Sequence, residues 1–211
     1  MTQLELPLGR PGGASDEFLI GAANENAARM LEHPGAWPVM AALIVGPRKS
    51  GRSLLARMTA LRTGGRMIDN AEQVSETDLF HAWNQAQAEH KPLLMVADAP
   101  PPEWRVRLPD LRSRLAATPV ARIDPPDDAL IAALLRYWFD RREMAVDDAV
   151  IEWLSTRTER SYVALLRAVD VLDDSRQENR RRRLSIRAAR STLEETGLLF
   201  DRLPLMAGRM Q

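Results

Sequence analysis

The sequence predicts an α/β protein built on a parallel sheet and followed by a smaller all-helical part. Three observations carry this. The apolar run "VMAALIV" at 39–45 ends in glycine and leads into the helix-like "RSLLARMTALR", a strand, glycine turn and helix in the order a phosphate-binding loop requires. Further strand-like runs, "RMID" and "KPLLMVADAPP", alternate with helical patterns, which is the signature of crossover units and a parallel sheet with ligands at the carboxyl ends of its strands. After Pro125-Pro126, residues 127 to 193 carry no strand signal.

Taken in order, residues 1–15, within "MTQLELPLGRPGGASD", read as an extended, mobile arm because a short apolar motif is mixed with Gly and Pro. From Glu17 to Leu31, Ile20, Ala23, Ala27 and Met30 recur at helical spacing. Pro34 and Gly35 then break that helix. The run 39–45 is apolar at every position, as expected of a strand covered on both faces. "ETDLFHAWNQAQAEH" is an amphipathic helix with Leu79, Ala82, Trp83 and Ala86 inward, and "PDLRSRLAATPVARIDPP" gives a short helix and the strand "VARI". The segments "DDALIAALLRYWFDRR", "VDDAVIEWLSTR", "RSYVALLRAVDVLDDSRQ" and "SIRAARSTLEE" read as four lid helices, with Asp127, Asp147 and Ser185 as N-caps. The expected division is an arm at 1–15, a base domain at 16–126, a helical lid at 127–196 and a tail at 197–211.

Composition bounds the function. The chain has 211 residues, 45% hydrophobic and 27% charged, ordinary for a globular protein with room for a base and a small lid. No apolar run is long enough to span a membrane, and the N-terminus shows no charged segment leading into an apolar core, so the cytoplasm is the expected compartment. The absence of cysteine excludes disulfides, thiolate metal sites and cysteine nucleophiles. His33, His81 and His90 are too scattered for a metal cluster. Net charge is zero, so no global field draws the chain to nucleic acid; the basic run at 180–183 reads as a solvated loop between helices.

The chemistry concentrates in Gly46-Pro47-Arg48-Lys49-Ser50-Gly51-Arg52-Ser53. This is the G-x-x-x-x-G-K-[ST] pattern with Arg52 in the place of lysine. Such a loop points successive backbone N–H groups into one concavity at a helix N-terminus, where phosphate sits. Arginine keeps the charge but is longer and planar, so nucleotide affinity is expected to weaken by about 1–3 kcal/mol if a charged hydrogen bond is misplaced. Ser53 is the residue expected to touch Mg²⁺. Asp69 ends the second strand, expected to neighbour the loop strand, and would hold the metal. Next to it stands Asn70, an amide that cannot take a proton, so efficient hydrolysis in cis is not expected. Asp98 ends the third strand, suitably placed to sense a γ-phosphate.

Together these residues resemble the AAA+ ATPases of the bacterial DnaA initiator family, on the side of its Hda-like regulatory inactivators, over nearly the whole chain. Gln3, Leu4, Leu6, Pro7 and Leu8 in "QLELPL" look like a clamp-binding peptide, in which glutamine bonds at the mouth of a hydrophobic pocket and the apolar residues fill it. "FLIGAANENAARML" resembles the family's N-terminal box, with Phe18, Gly21 and Asn24 beside the adenine. "MIDNAEQ" resembles the Walker B segment, and "VADAPPPEWRVRLPDLRSRL" looks like the sensor 1 strand running into the arginine-finger segment. The resemblance implies that Asp98 is the sensor and Arg114 a finger acting on a neighbour's γ-phosphate.

Besides Arg52, two departures stand out. One strand–helix unit between the loop helix and Asp69 is missing, at the sheet edge, so the sheet should be narrower with its core intact. The sensor 2 arginine falls on Val163, with Arg160 three residues earlier as a substitute. The implied function is negative regulation of replication initiation: docking on the sliding clamp (the beta subunit of DNA polymerase III), and stimulation of ATP hydrolysis by the DnaA initiator. ADP or ATP with Mg²⁺, bound weakly or not at all, is the expected ligand; DNA is met only through the clamp, no membrane is involved, and homo-oligomers are allowed. An independent loader-type ATPase and a non-catalytic adaptor scaffold remain as alternatives.

Overall fold

In a computed structural model, residues 17–176 and 183–199 are described in full, and residues 3 and 4 by their backbone. The clamp-peptide residues Leu6, Pro7 and Leu8 lie outside the described residues, as do residues 180–182 of the basic run. The chain divides at Pro125 and Pro126 into two compact units.

The first unit begins with two short strands, β1 (Gln3–Leu4) and β2 (Phe18–Leu19), which pair antiparallel with Leu4 opposite Phe18. The helix expected from Glu17 therefore starts late: α1 spans Glu25–Glu32. The periodicity of its upstream half belongs to a turn whose buried Asn24 accepts from Gly21 N and donates to Leu19 O, both at 2.9 Å. A side chain that bonds local backbone in this way competes with helix.

The sheet comprises β3 (Ala41–Val45), β4 (Arg66–Ile68), β5 (Leu93–Ala97) and β6 (Val120–Arg122), in the order β4-β5-β3-β6, with every pairing parallel. β3 and β5 are buried at every position, as apolar runs without alternation require when helices cover both faces. On one face, Leu43, Val45, Leu93 and Met95 pack with Leu79, Ala82 and Ala86 of α3 (Glu76–Glu89) and with Leu111 and Leu115 of α4 (Pro109–Ala117). α2 (Arg52–Thr63) packs on β5 and α1 on β6. Contrary to the expectation from the sequence, β4, which leads into Asp69, does not neighbour the loop strand; β5 stands between them. β4 is an edge strand, partly exposed along its length, while "LLMVA" is the run apolar enough for the buried central place.

The second unit contains α5 (Asp128–Arg141), α6 (Asp148–Arg157), α7 (Tyr162–Asp174) and α8 (Ile186–Glu194). Its core joins Leu135, Phe139, Ile151, Leu154, Leu165, Leu172 and Leu193. Asp127, Ser161 and Ser185 cap their helices by accepting from Leu130 N, Ala164 N and Ala188 N. Asp147 holds the N-cap position of α6 without a side-chain cap bond. Its carboxylate pairs instead with Arg183 at 2.9 Å.

Candidate nucleotide site

The loop is positioned from both sides by the sheet. Val45 pairs with Ala97 and with Arg122, so Gly46 and Asp98 leave the carboxyl edge side by side, and Ile123 N donates to Val45 O at 2.8 Å. Gly46 needs to be glycine: its φ is +151°, and a Cβ there would lie 2.4 Å from Ile123 O. Gly51 caps α2 at φ +88°, and a Cβ there would lie 2.8 Å from the Phe18 ring. Phe18 is thus a buried wall behind the loop. Asn24 serves the same region by shaping the turn over Gly21, where both polar ends of its carboxamide are already bonded.

Several features fit a phosphate. The N-terminus of α2, a helix of 12 residues, opens at the loop with no acid in its first turn, so its free N–H groups and dipole favour an anion. Ser50 Oγ is buried with no hydrogen-bond partner among the described residues. Arg48 and Lys49 are exposed on the loop, Lys49 at φ +65°. Ser53 lies half-buried in the first turn of α2. Asp69 is exposed and accepts from Asn70 N at 3.0 Å. Among the described residues no cluster of three or more metal-ligating side chains forms.

The cation of the motif is engaged within the protein. Arg52 donates through Nη1 to Ala97 O, and through Nη2 to Asp98 Oδ1 at 2.6 Å. Its side chain is 11% exposed, while that of Asp98 is 59% exposed. In the second unit Arg160 Nη2 pairs with Asp128 Oδ1, and Val163 is exposed. Arg52 and Arg160 therefore each have an aspartate of their own unit as partner. Neither contact was legible in the sequence, because 46 residues separate Arg52 from Asp98 and 32 separate Arg160 from Asp128.

Arg114 lies on α4 and reaches back to α3. Nε donates to Asn84 Oδ1 at 3.0 Å and Nη1 to Asp110 O at 3.3 Å. The guanidinium carbon sits 4.3 Å from the Phe80 ring centroid and 5.2 Å from that of Trp83. The residue is half-buried, and its Nη2 has no bond to any described residue. A residue that sequence reasoning passed over fixes the approach to α4. The Glu76 carboxylate accepts from Arg107 N at 2.8 Å and Leu108 N at 2.6 Å. These backbone bonds, above all that from Arg107, hold the carboxyl below the usual glutamate range.

Comparison with known proteins gives the fold. No protein-family model matches the chain. An uncharacterized protein of Haemophilus influenzae is 31% identical over 99 residues, 46% of this chain and 43% of that one, so the chain spans less than half the length of that relative. Among solved structures, domain III of the replication initiation protein DnaA from Thermotoga maritima superposes with a TM-score of 0.70 at 16% identity, covering 84% of this chain and 94% of that one. The Holliday junction branch migration motor RuvB of Thermotoga maritima gives 0.61 at 16% identity, over 83% of this chain and 70% of that one. A replication initiator DnaA bound to AMPPCP and single-stranded DNA gives 0.58 at 15% identity, over 77% of this chain and 63% of that one. The chain has the α/β fold of the AAA+ domains of DnaA and RuvB.

Proposed function

We propose that this chain regulates replication initiation by acting on a nucleotide held by a neighbouring DnaA-type initiator, while its N-terminal peptide tethers it to the sliding clamp. The observation that carries the reading is Arg114. Its guanidinium is held by two aromatic rings and Asn84 on a half-exposed helix, with Nη2 bonded to no described residue. A cation fixed in this way loses little freedom when it meets a developing charge, and that preorganisation gives electrostatic catalysis its strength. In well-studied GTPases a finger of this kind is worth roughly 10³–10⁵ in rate.

The chain's own loop supports the same division of labour. Asn70 cannot serve as a base beside Asp69, and Arg52 is engaged with Ala97 and Asp98. In this reading ADP or ATP with Mg²⁺ is a structural ligand. Backbone N–H groups of residues 46–53 would hold its phosphates, Ser53 and Asp69 would face the metal, and Phe18 would stand beside the base. Gln3, Leu4, Leu6, Pro7 and Leu8 would dock on the clamp as an extended peptide, and DNA would be met only through it.

A second reading, the non-catalytic adaptor, is favoured by the contacts of Arg114 with α3, which also serve packing. Measuring ATP hydrolysis by DnaA, with the clamp loaded on DNA, separates these readings. The proposal expects the chain to accelerate hydrolysis at least about tenfold, to show no sustained turnover alone, and to lose clamp binding with Gln3→Ala and Leu4→Ala together. Turnover by the chain alone at the rate of the mixture, or clamp binding that survives the double substitution, contradicts it.

A further inference from the structure

We propose that Asp98 is the resident counterion of the phosphate loop, and that its carboxylate competes with nucleotide phosphate for Arg52. Arg52 is the first residue of α2, whose first turn has no acid. A cation at that end of a helix opposes the dipole, so a nearby anion is needed to offset it. Asp98 supplies that anion, with its Oδ1 2.6 Å from Nη2. The other arm of the guanidinium is spent on Ala97 O. The cation the motif would offer to phosphate is thereby directed along the end of β5 and held there at 11% side-chain exposure. The loop still holds the buried Ser50 hydroxyl with no partner among the described residues, so it keeps a polar group that a phosphate oxygen or a water can satisfy.

A phosphate entering this loop must draw Arg52 from Asp98 and then tolerate the carboxylate beside it. Like charges a few ångströms apart in a partly dry site repel. The pair thus acts as a threshold on nucleotide binding, a sign opposite to that of a residue that senses phosphate by bonding to it. Asp98 is 59% exposed, so it can turn toward water when phosphate displaces it. That limits the threshold to a moderate size. The inference concerns the chain's own loop and stands apart from the role given to Arg114.

The test is calorimetric titration of the full chain with ADP and with ATP, in magnesium, for the natural sequence and for Asp98→Asn. The substitution keeps an oxygen for Arg52 and removes the charge. The dissociation constant should fall roughly three- to tenfold, the range expected for releasing a charged hydrogen bond at a half-exposed pair. In an Arg52→Gln background the gain should disappear, because the cation competed for is gone. Equal or weaker binding by Asp98→Asn, a gain fully kept without Arg52, or no binding by either protein overturns the proposal. Thermal unfolding without nucleotide checks the fold; if Asp98→Asn is unfolded, Asp98→Ser is read by the same criteria.

Discussion

At the scale of single residues, the loop combines positions that the motif fixes with positions that the tertiary structure re-assigns. Gly46 and Gly51 are legible as glycines of a phosphate loop. The structure adds a physical reason for each, a backbone oxygen beside one and an aromatic ring beside the other. Gly51→Ala should destabilise the protein by roughly 1–2 kcal/mol from its left-handed backbone alone, and by more as the Phe18 ring is displaced. Denaturant unfolding with an unchanged m-value checks this. Gly46→Ala should cost more, because Ile123 O is backbone and cannot rotate away. The partners of Arg52, Arg114 and Arg160 were not legible. Charged side chains on distant elements meet only once the sheet and helices are in place, and no local pattern encodes those encounters.

At the scale of elements, apolar runs without alternation located β3 and β5, and helical periodicity located α2 through α8. Two misreadings share a cause. The start of α1 and the place of β4 depend on what competes with, or sits beside, a segment, and periodicity reports neither. Glu76 shows the same limit. It looks like an ordinary first-turn acid of α3, yet it joins the start of that helix to the start of α4 through Arg107 N and Leu108 N. Its carboxyl is depressed by those bonds. The stabilisation it gives is therefore fully present above the ordinary glutamate range of about 4.3, and it is lost as pH falls through the lower folded value. Glu76→Gln should melt at a lower temperature than the natural sequence at pH 7. That difference should shrink as the pH falls through the depressed folded value of Glu76, below which both proteins carry an uncharged side chain. A difference that stays constant with pH would mean that the bonds act by shape rather than charge.

At the scale of the whole molecule, the sequence predicted an α/β base with a narrow parallel sheet and a helical lid. The division at Pro125 and Pro126 and the match to domain III of a DnaA describe a molecule of that kind. The short sheet has a physical basis. β3 and β5, the strands buried on both faces, lie inside it, so a unit can be missing beyond β4 without exposing the core. The proposed function needs Arg114 of one molecule to meet a triphosphate held by another. The most direct measurement is single-turnover ATP hydrolysis by DnaA with the DNA-loaded clamp, comparing the natural chain, Arg114→Ala and Arg114→Lys at matched occupancy of the clamp. Both variants give up packing on Phe80 or the bond to Asn84, worth about 1 kcal/mol, so each should stay folded with a slightly lower melting temperature. Both variants are expected to bind the clamp normally and to lose at least about nine-tenths of the stimulation. Full stimulation by folded, clamp-bound Arg114→Ala would contradict it.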